Sequence, residues 1–327
     1  MVVQKKMDKP LTLGVDIGGT KVNVGLVDAA GRLLFVHKSL IHATKETEMV
    51  IADILAGVEV CLSKTGQEAK ALGIGVAAQV DLKGVVRGSP NLGWRNVSLK
   101  KKLEKQLGLP VVVTNDVRAA TWGEWCYGSG RGVDDLAVLF VGTGVGGGVI
   151  SGGKVLSGCT NSGGELGHIT IVSDGRKCRC PNKGCLEAYV GGWAIAERAQ
   201  EAIRTLSNEG RRLLSLAGSI KQVTAVTVSQ AYREGDLLAR LLVEETGQYL
   251  AAGVVSIVNA FNPCLLVLGG GVIEGIPELI PMVKDITRNR ALEAAVEELE
   301  IVKAELGGDA GVIGAAALAQ DLVDKAP

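Results

Sequence analysis

Apolar residues fall along this chain in alternating strand and helix rhythms, and the rhythm restarts midway. Residues 11–16 (LTLGVD) form a short, nearly continuous apolar run, the pattern of a buried strand. Gly18-Gly19-Thr20 makes a turn, residues 21–28 (KVNVGLVD) alternate as a second strand, and residues 32–39 make a third after a turn ending at Gly31. Three strands joined by tight turns predict an antiparallel meander. Residues 46–65 then carry Met49, Val50, Ile54, Leu55, Val58 and Leu62 at helical spacing. A buried strand over 71–77, a short amphipathic helix over 99–107 ended by Pro110, a strand over 111–114 and a helix over 117–127 follow.

The same grammar begins again after Gly128. Residues 136–141 (LAVLFV) read as a strand, 142–148 as a glycine turn, 149–150 as a strand and Gly152-Gly153 as a turn. Helices are predicted over much of 192–206, 229–234 and 237–259, and again over 277–290 and 291–298. A strand over 264–268 runs into Gly269-Gly270-Gly271, a late strand covers 300–304, and a helix of small residues covers 310–320. A strand–turn–strand hairpin opens each half and helix–strand alternation follows. The pattern predicts a duplicated α/β unit with a mixed sheet in each copy and a boundary near 118–130. One large α/β domain is the alternative.

Composition narrows this picture. A chain of 327 residues, 47% hydrophobic, is long enough for two domains and their cores. Its formal net charge of zero advertises no basic face for nucleic acid. The residues 1–10 (MVVQKKMDKP) lack the apolar core of a signal peptide, and no uninterrupted apolar run reaches the ~18–20 residues of a membrane span. Seven cysteines is an odd number, and Cys61, Cys126, Cys159 and Cys264 are scattered. That fits a reducing cytoplasm with one metal site better than a disulfide framework.

The candidate metal site lies in 161–187 (NSGGELGHITIVSDGRKCRCPNKGCLE), where Cys178, Cys180 and Cys185 form C-x-C-x4-C with His168 upstream; three cysteines that merely happen to be close are the alternative. Three thiolates and an imidazole make the ligand set of a closed tetrahedral zinc site. Glu165 and Glu187 bracket it and are not needed as ligands.

The glycine turns are candidates for phosphate binding. In Asp16-x-Gly18-Gly19-Thr20-Lys21 the paired glycines bring backbone N–H groups close to an anion, Thr20 adds a hydroxyl, and Asp16 can hold Mg2+ through water. An ordinary hairpin turn explains the same residues. Gly142-Thr143-Gly144-Val-Gly146-Gly147-Gly148 contains a G-x-G-x-x-G match, but a strand and a turn follow it where a dinucleotide fold needs a helix. A second phosphate hairpin is the better reading. Gly269, Gly270 and Gly271 permit close backbone approach to a ligand, or simply a tight strand–helix connection. Asn115-Asp116 ends a strand, where α/β sheets collect ligands and a carboxylate can take a proton. A helix N-cap is the alternative there. Asn91, in the turn 89–94, is placed to bind hydroxyls or merely to turn the chain. His37, His42 and the 100–102 lysine run read as solvated surface.

Taken in order, LGVDIGGTKVNVGLVD, SPNLGWRN, TNDVRAATWGE, VGTGVGGGVISGG, GGELGHI, CRCPNKGCLE and LGGG resemble the ROK (repressor, open reading frame, kinase) sugar kinases over about residues 11–320. The resemblance implies an α/β, two-lobed actin/hexokinase/Hsp70-like ATPase fold built from duplicated ribonuclease-H-like domains, with lobes closing on a cleft. Residues 1–118 with 308–327 would form one lobe and 119–307 the other. It implies ATP on Asp16, Gly18, Gly19, Thr20 and Lys21, on Gly142, Thr143 and Gly144, and on Gly269, Gly270 and Gly271. Asp116 would be the catalytic base, and Asn91, Asn115, Asp116, Glu165, His168 and Glu187 would hold the sugar. His168, Cys178, Cys180 and Cys185 would bind structural zinc. ATP, Mg2+ and Zn2+ are thus the implied cofactors, a sugar and a nucleotide the partners, and a homodimer or homotetramer in the cytoplasm the setting.

Glucose is the first expected substrate, with fructose, mannose, an N-acetylhexosamine or allose as alternatives, and polyphosphate as an alternative donor. A ROK repressor or a non-catalytic sugar sensor is the other class; with ten residues before the first strand and a net charge of zero, DNA binding is not expected. Three departures stand out. Pro181 takes a place where glycine is common, residues 77–81 (AAQVD) lack a common Pro-Gly pair, and Arg118 stands where Asn or Asp is common.

Overall fold

A computed structural model describes residues 10–205 and 210–325. Most of the N-terminal stretch read for a signal peptide, and Leu206 at the end of a predicted helix, lie outside the described residues. Contacts divide the chain into two compact units. The first comprises the chain to Gly132, Ser157–Gly163, and Glu305 onward; the second comprises Val133–Leu156 and Gly164–Ala304.

The first unit opens with strands β1 (Leu11–Ile17), β2 (Lys21–Val27) and β3 (Leu33–Leu40), then helix α1 (Thr47–Thr65) and β4 (Ala69–Val76). Short strands β5 (Gln79–Val80), β6 (Val86–Ser89) and β7 (Trp94–Val97) precede α2 (Leu99–Leu107), β8 (Val111–Asn115) and α3 (Asp116–Tyr127). The main sheet has the order β3-β2-β1-β4-β8. β1, β2 and β3 pair antiparallel, whereas β4 runs parallel to β1 and β8 parallel to β4.

The second unit repeats the plan. It contains β9 (Leu136–Val141), β10 (Val145–Ser151), β11 (Lys154–Val155), α4 (Glu187–Val190), α5 (Gly192–Thr205), α6 (Arg211–Ala217), α7 (Ala225–Arg233) and α8 (Leu237–Phe261). β12 (Leu265–Gly269), α9 (Gly271–Gly275), α10 (Leu279–Arg290), α11 (Glu293–Val296) and β13 (Glu300–Lys303) complete it. Its sheet order, β11-β10-β9-β12-β13, has the same pattern of an antiparallel meander followed by two parallel strands. The duplication legible in the rhythm is therefore a duplication of sheet topology.

The last helix, α12 (Ala310–Asp324), belongs to the first unit. Its small residues have a packing reason. A Cβ on Gly14 of β1 or Gly73 of β4 would collide with the Val312 or Ala315 carbonyl oxygen, and one on Gly314 would collide with the Ala119 carbonyl of α3. Backbone meets backbone here, which leaves no space for side chains on either surface. Because α3 packs on α12, the whole of α3 stays with the first unit, and the contact boundary falls at Gly132 rather than at 118.

Two local readings differ from the sequence pattern. β10 starts at Val145, so Gly146, Gly147 and Gly148 lie in a strand and the turn is confined to Gly142–Gly144. The 79–97 stretch forms a small antiparallel sheet, β5-β6-β7, around what reads as a plain turn. Among the described residues, one helix, α8, is long and apolar enough to cross a membrane by length and composition; 56% of its apolar window is buried in the protein.

Candidate active site and metal-binding loop

In the first unit, sheet register assembles the acidic pair. Asp16 of β1 is opposite Gly75 of β4, Gly75 is opposite Thr114 of β8, and Val76 is opposite Asn115. Asp16 and Asp116 therefore sit at the carboxyl ends of β1 and β8, parallel strands on either side of β4, where helix N-termini and turns leave backbone groups for ligands. Gly75 permits this: a Cβ there would lie 3.2 Å from the Asp116 Cα. Asn23 of β2 donates from Nδ2 to Asp16 Oδ2 at 3.5 Å. Burial and then the Asp116 charge push the Asp16 carboxyl up to about 6, against the lowering effect of Asn23. An acid held at such cost, at a strand's carboxyl end, is suited to receive a cation.

The Gly18–Lys21 turn is closed by Gly18 N–H donating to the Lys21 carbonyl at 3.0 Å, and Thr20 and Lys21 are exposed. Asn91 borders this turn, since a Cβ on Gly19 would lie 3.4 Å from the Asn91 Cβ. Lys45 holds the Asn91 loop: its Nζ donates to the Asn91 carbonyl at 2.9 Å, and its own carbonyl accepts from Trp94 Nε1 at 2.8 Å. Asn115 caps α3, accepting from the Arg118 N–H at 3.0 Å through Oδ1, while its Nδ2 donates to Ala78 O at 3.3 Å. Asp116 is then the first helical residue. The structure thus gives the two residues different duties, Asn115 as cap and Asp116 as the carboxylate on the first turn.

In the second unit, the Gly142–Gly144 turn follows β9 and is tied to the start of α5. Gly192 N–H donates to Gly142 O at 2.9 Å and Trp193 N–H to Thr143 O at 3.1 Å. Glu187, at the start of α4, reaches the same turn: its Oε2 accepts the Val145 N–H at 2.9 Å, and its Oε1 accepts Trp193 Nε1–H at 3.3 Å. A Cβ on Gly144 would sit 2.5 Å from that Oε2, so a larger residue there would displace the Glu187 carboxylate. The Arg179 guanidinium lies 4.6 Å from the Trp193 ring centre, linking the C-R-C segment to the same group. Gly270, with φ of 90°, follows β12, and a Cβ there would be 2.6 Å from the Val141 carbonyl oxygen at the end of β9. Gly269 and Gly271 flank it at the strand end and the helix start.

The cysteine loop brings its four donors together. The ligand atoms of His168, Cys178, Cys180 and Cys185 lie within 4.8 Å of one another. Cys180 and Cys185 sulfurs are 3.6 Å apart, and the Cys178 sulfur is 3.7 Å from His168 Nδ1. Tetrahedral ligands at ~2.3 Å from a zinc ion would be about 3.8 Å apart, so this donor set fits such an ion. Gly184, with φ of 75°, turns the loop where a Cβ would strike the Val172 carbonyl. Pro181 is exposed and does not disturb the convergence. His168 closes a single 3-10 turn, Leu166–His168, whose Leu166 packs against Gly147 of β10. Glu165, just before that turn, is exposed.

Sequence reasoning did not find Asn23, Gly75, Trp193 or the Val145 N–H, because each acts through cross-strand register or loop contact. The Asp16-to-Gly75 alignment follows once β1 and β4 are recognised as parallel neighbours.

Two copies of a hairpin-led mixed sheet, each ending in glycine turns beside carboxylates, constitute the actin/hexokinase/Hsp70-like ATPase fold. The model of the ROK family matches residues 12–322, and the chain belongs to that family. It is 36% identical over 314 residues to the glucokinase of Streptomyces coelicolor, covering 95% of this chain and 98% of that protein. It is 34% identical to the glucokinase of Thermotoga maritima, covering 97% and 99%. A ROK family glucokinase from Streptomyces griseus, solved in complex with glucose and AMPPNP, superposes with a TM-score of 0.83 at 37% identity over 95% of this chain and 99% of that one.

Proposed function

We propose that this protein is an ATP-dependent hexose kinase that converts glucose to glucose 6-phosphate. The observation that carries this reading is the placement of Asp116 on the first turn of α3, beside half-buried Asp16 at the end of β1, in a chain similar over nearly its whole length to glucokinases.

In this reading the Asp116 carboxylate accepts the proton of the sugar's 6-hydroxyl. The hydroxyl oxygen forms a bond to the γ-phosphorus as the bond from that phosphorus to the bridging oxygen breaks, and ADP leaves. Positioning and charge neutralisation do most of the work in such transfers. Gly18, Gly19, Thr20 and Lys21 on one hairpin and Gly142, Thr143 and Gly144 on the other offer N–H groups to phosphates, and Gly269, Gly270 and Gly271 lie against the adenosine. Magnesium, when bound, would supply positive charge to the phosphate oxygens, and Asp16 would be the residue to hold it. Asn91, Glu165, His168 and Glu187 orient sugar hydroxyls, and Asn115 has a second amide hydrogen to give beyond the one Ala78 accepts.

Zinc held by His168, Cys178, Cys180 and Cys185 would stiffen the loop that carries these side chains. With Nδ1 facing the cluster, His168 keeps Nε2–H for a hydroxyl. A thiolate site of this kind belongs in a reducing cytoplasm. A coupled assay of ADP release over a sugar panel, with polyphosphate as a second donor, tests the assignment. Glucose with ATP should give the highest kcat/KM. Asp116→Asn should lower kcat by ~10²-fold or more while glucose binding, followed by calorimetry, survives. Near-normal turnover in that variant would remove Asp116 as the base.

A further inference from the structure

Arg118 lies on α3 two residues beyond Asp116, and its guanidinium reaches a segment that the transfer described above does not use. Its guanidinium donates through Nη1 to Asn161 Oδ1 and through Nη2 to the Gly163 carbonyl at 2.9 Å. Asn161 is engaged at the other end of its amide too, donating from Nδ2 to the Val80 carbonyl at 2.9 Å. The Arg118 backbone N–H is meanwhile bonded to Asn115, whose amide holds Ala78. Arg118 and Asn161 thus tie three stretches of the first unit together: the start of α3, the chain around 78–80, and the 157–163 segment.

That segment is unusual in the chain path. Ser157–Gly163 belongs to the first unit although the residues before and after it belong to the second. Asn161 has φ of 62°, a left-handed conformation that asparagine accepts more readily than most side chains. Gly164, with φ of 87°, begins the return; a Cβ there would lie 3.3 Å from the Cα of Gly148 in β10. Glu165 is the next residue. The backbone is therefore gripped by Arg118 at Gly163 and packed against β10 at Gly164, immediately ahead of the carboxylate assigned to the sugar.

We infer that Arg118 is a positioning residue for sugar recognition: by clamping Asn161 and Gly163 to α3, it fixes the backbone from which Glu165 is presented. Arginine suits this duty because one planar charged group serves two separate acceptors, whereas a lysine ammonium is a single point charge on a flexible stem. The inference rests on the reading of Glu165 as a sugar contact.

The test compares wild-type full-length protein with Arg118→Ala, Arg118→Lys, Asn161→Gly and the Arg118→Ala/Asn161→Gly double variant. Initial rates are measured against glucose and against ATP separately, and backbone hydrogen exchange is followed across 157–165. Loss of a charge-assisted clamp should raise the glucose KM by ~10-fold or more, with the ATP KM changed by less than about twofold. Arg118→Lys should fall between wild type and Arg118→Ala. Asn161→Gly keeps the left-handed backbone but loses both amide bonds, so it should match Arg118→Ala, and the double variant should be no worse than the poorer single one. Exchange across 159–163 should quicken in each variant. Faster exchange with an unchanged glucose KM would overturn the positioning role and leave a structural crosslink. Unchanged exchange would overturn the clamp itself. Wild-type protein inactive on every sugar would sink the kinase reading and the positioning role with it, while the exchange result would still decide the clamp.

Discussion

Asp16 carries a cost that can be measured without any ligand. Its carboxyl is pushed from the ordinary 3.8 to about 6, first by burial and second by the charge of Asp116. The unfolded chain keeps the ordinary value. Between those two pH values the folded protein holds more protons than the unfolded one, so this group's contribution to stability falls as pH rises through the window. Below the lower value it costs nothing; above the upper value the folded protein carries the full penalty, ~3 kcal/mol. Asp16→Asn removes the charge and keeps the shape. The variant should therefore be more stable than wild type at neutral pH by up to about 3 kcal/mol, and the advantage should shrink towards zero near pH ~4. Urea unfolding followed by tryptophan fluorescence, at several pH values for both proteins, gives the quantity needed. The difference between the two stabilities cancels the carboxylates remote from Asp16 and leaves Asp16 with its coupling to Asp116. A difference that is flat with pH, or wild type more stable at neutral pH, would refute the reasoning. The same variant should lose ATP-dependent turnover, because it removes the carboxylate proposed to hold the cation. Asp116→Asn supplies an internal check: with the neighbouring charge gone, the pH dependence attributable to Asp16 should weaken.

Other perturbations separate packing from chemistry. Removing metal with a chelator should weaken glucose binding and loosen the 168–185 loop while nucleotide affinity holds; calorimetric titration of both ligands reads this, and unchanged glucose affinity in metal-free protein would dismiss the idea of the metal as a brace. Trp193→Phe keeps a ring beside Arg179 but deletes the N–H given to Glu187, so the glucose KM should rise by ~5-fold, with little change in the urea midpoint. Gly73→Ala forces a methyl group onto the Ala315 carbonyl and should cost ~3 kcal/mol or more, seen as a lower urea midpoint or loss of soluble protein.

What could be read from the chain before its structure was known depended on how far apart the cooperating residues lie. The convergence of His168, Cys178, Cys180 and Cys185 was legible because the four residues are close in sequence, and thiolates with an imidazole have few other uses. The paired hairpins were legible because apolar alternation and glycine turns are local signals. The second hairpin was nonetheless placed late. Gly146, Gly147 and Gly148 look like turn residues, yet they pair with Phe140, Leu139 and Val138 as a strand. Glycine occurs there for a neighbour's sake: a Cβ on Gly147 would lie 2.7 Å from the Leu166 Cβ. Periodicity cannot show this, since a residue without a side chain contributes nothing to an alternating pattern. The small sheet over 79–97 was hidden for a related reason, because strands of two and four residues around Pro90 and Gly93 are shorter than the window in which alternation can be counted.

Asn115-Asp116 shows a different limit. A cap and a catalytic carboxylate predict the same residue types at the same place; Asn115 takes the cap, which leaves Asp116 on the first turn as the proposed base. Choosing between them required the side-chain geometry, where Asn115 spends its oxygen on the Arg118 N–H. The Arg118–Asn161 link lies further still from any sequence signal. Its members are separated by 43 positions and meet only because Ser157–Gly163 folds with the first unit. An arginine two residues after an aspartate reads as an ordinary helix residue, and an asparagine before Ser-Gly-Gly reads as an ordinary turn. Contact across that distance is a property of the chain path, which no local pattern encodes. A side chain acting through such a path is the kind of positioning residue that kinetics on separate substrates can expose, because it alters how one ligand is held without touching the group that reacts.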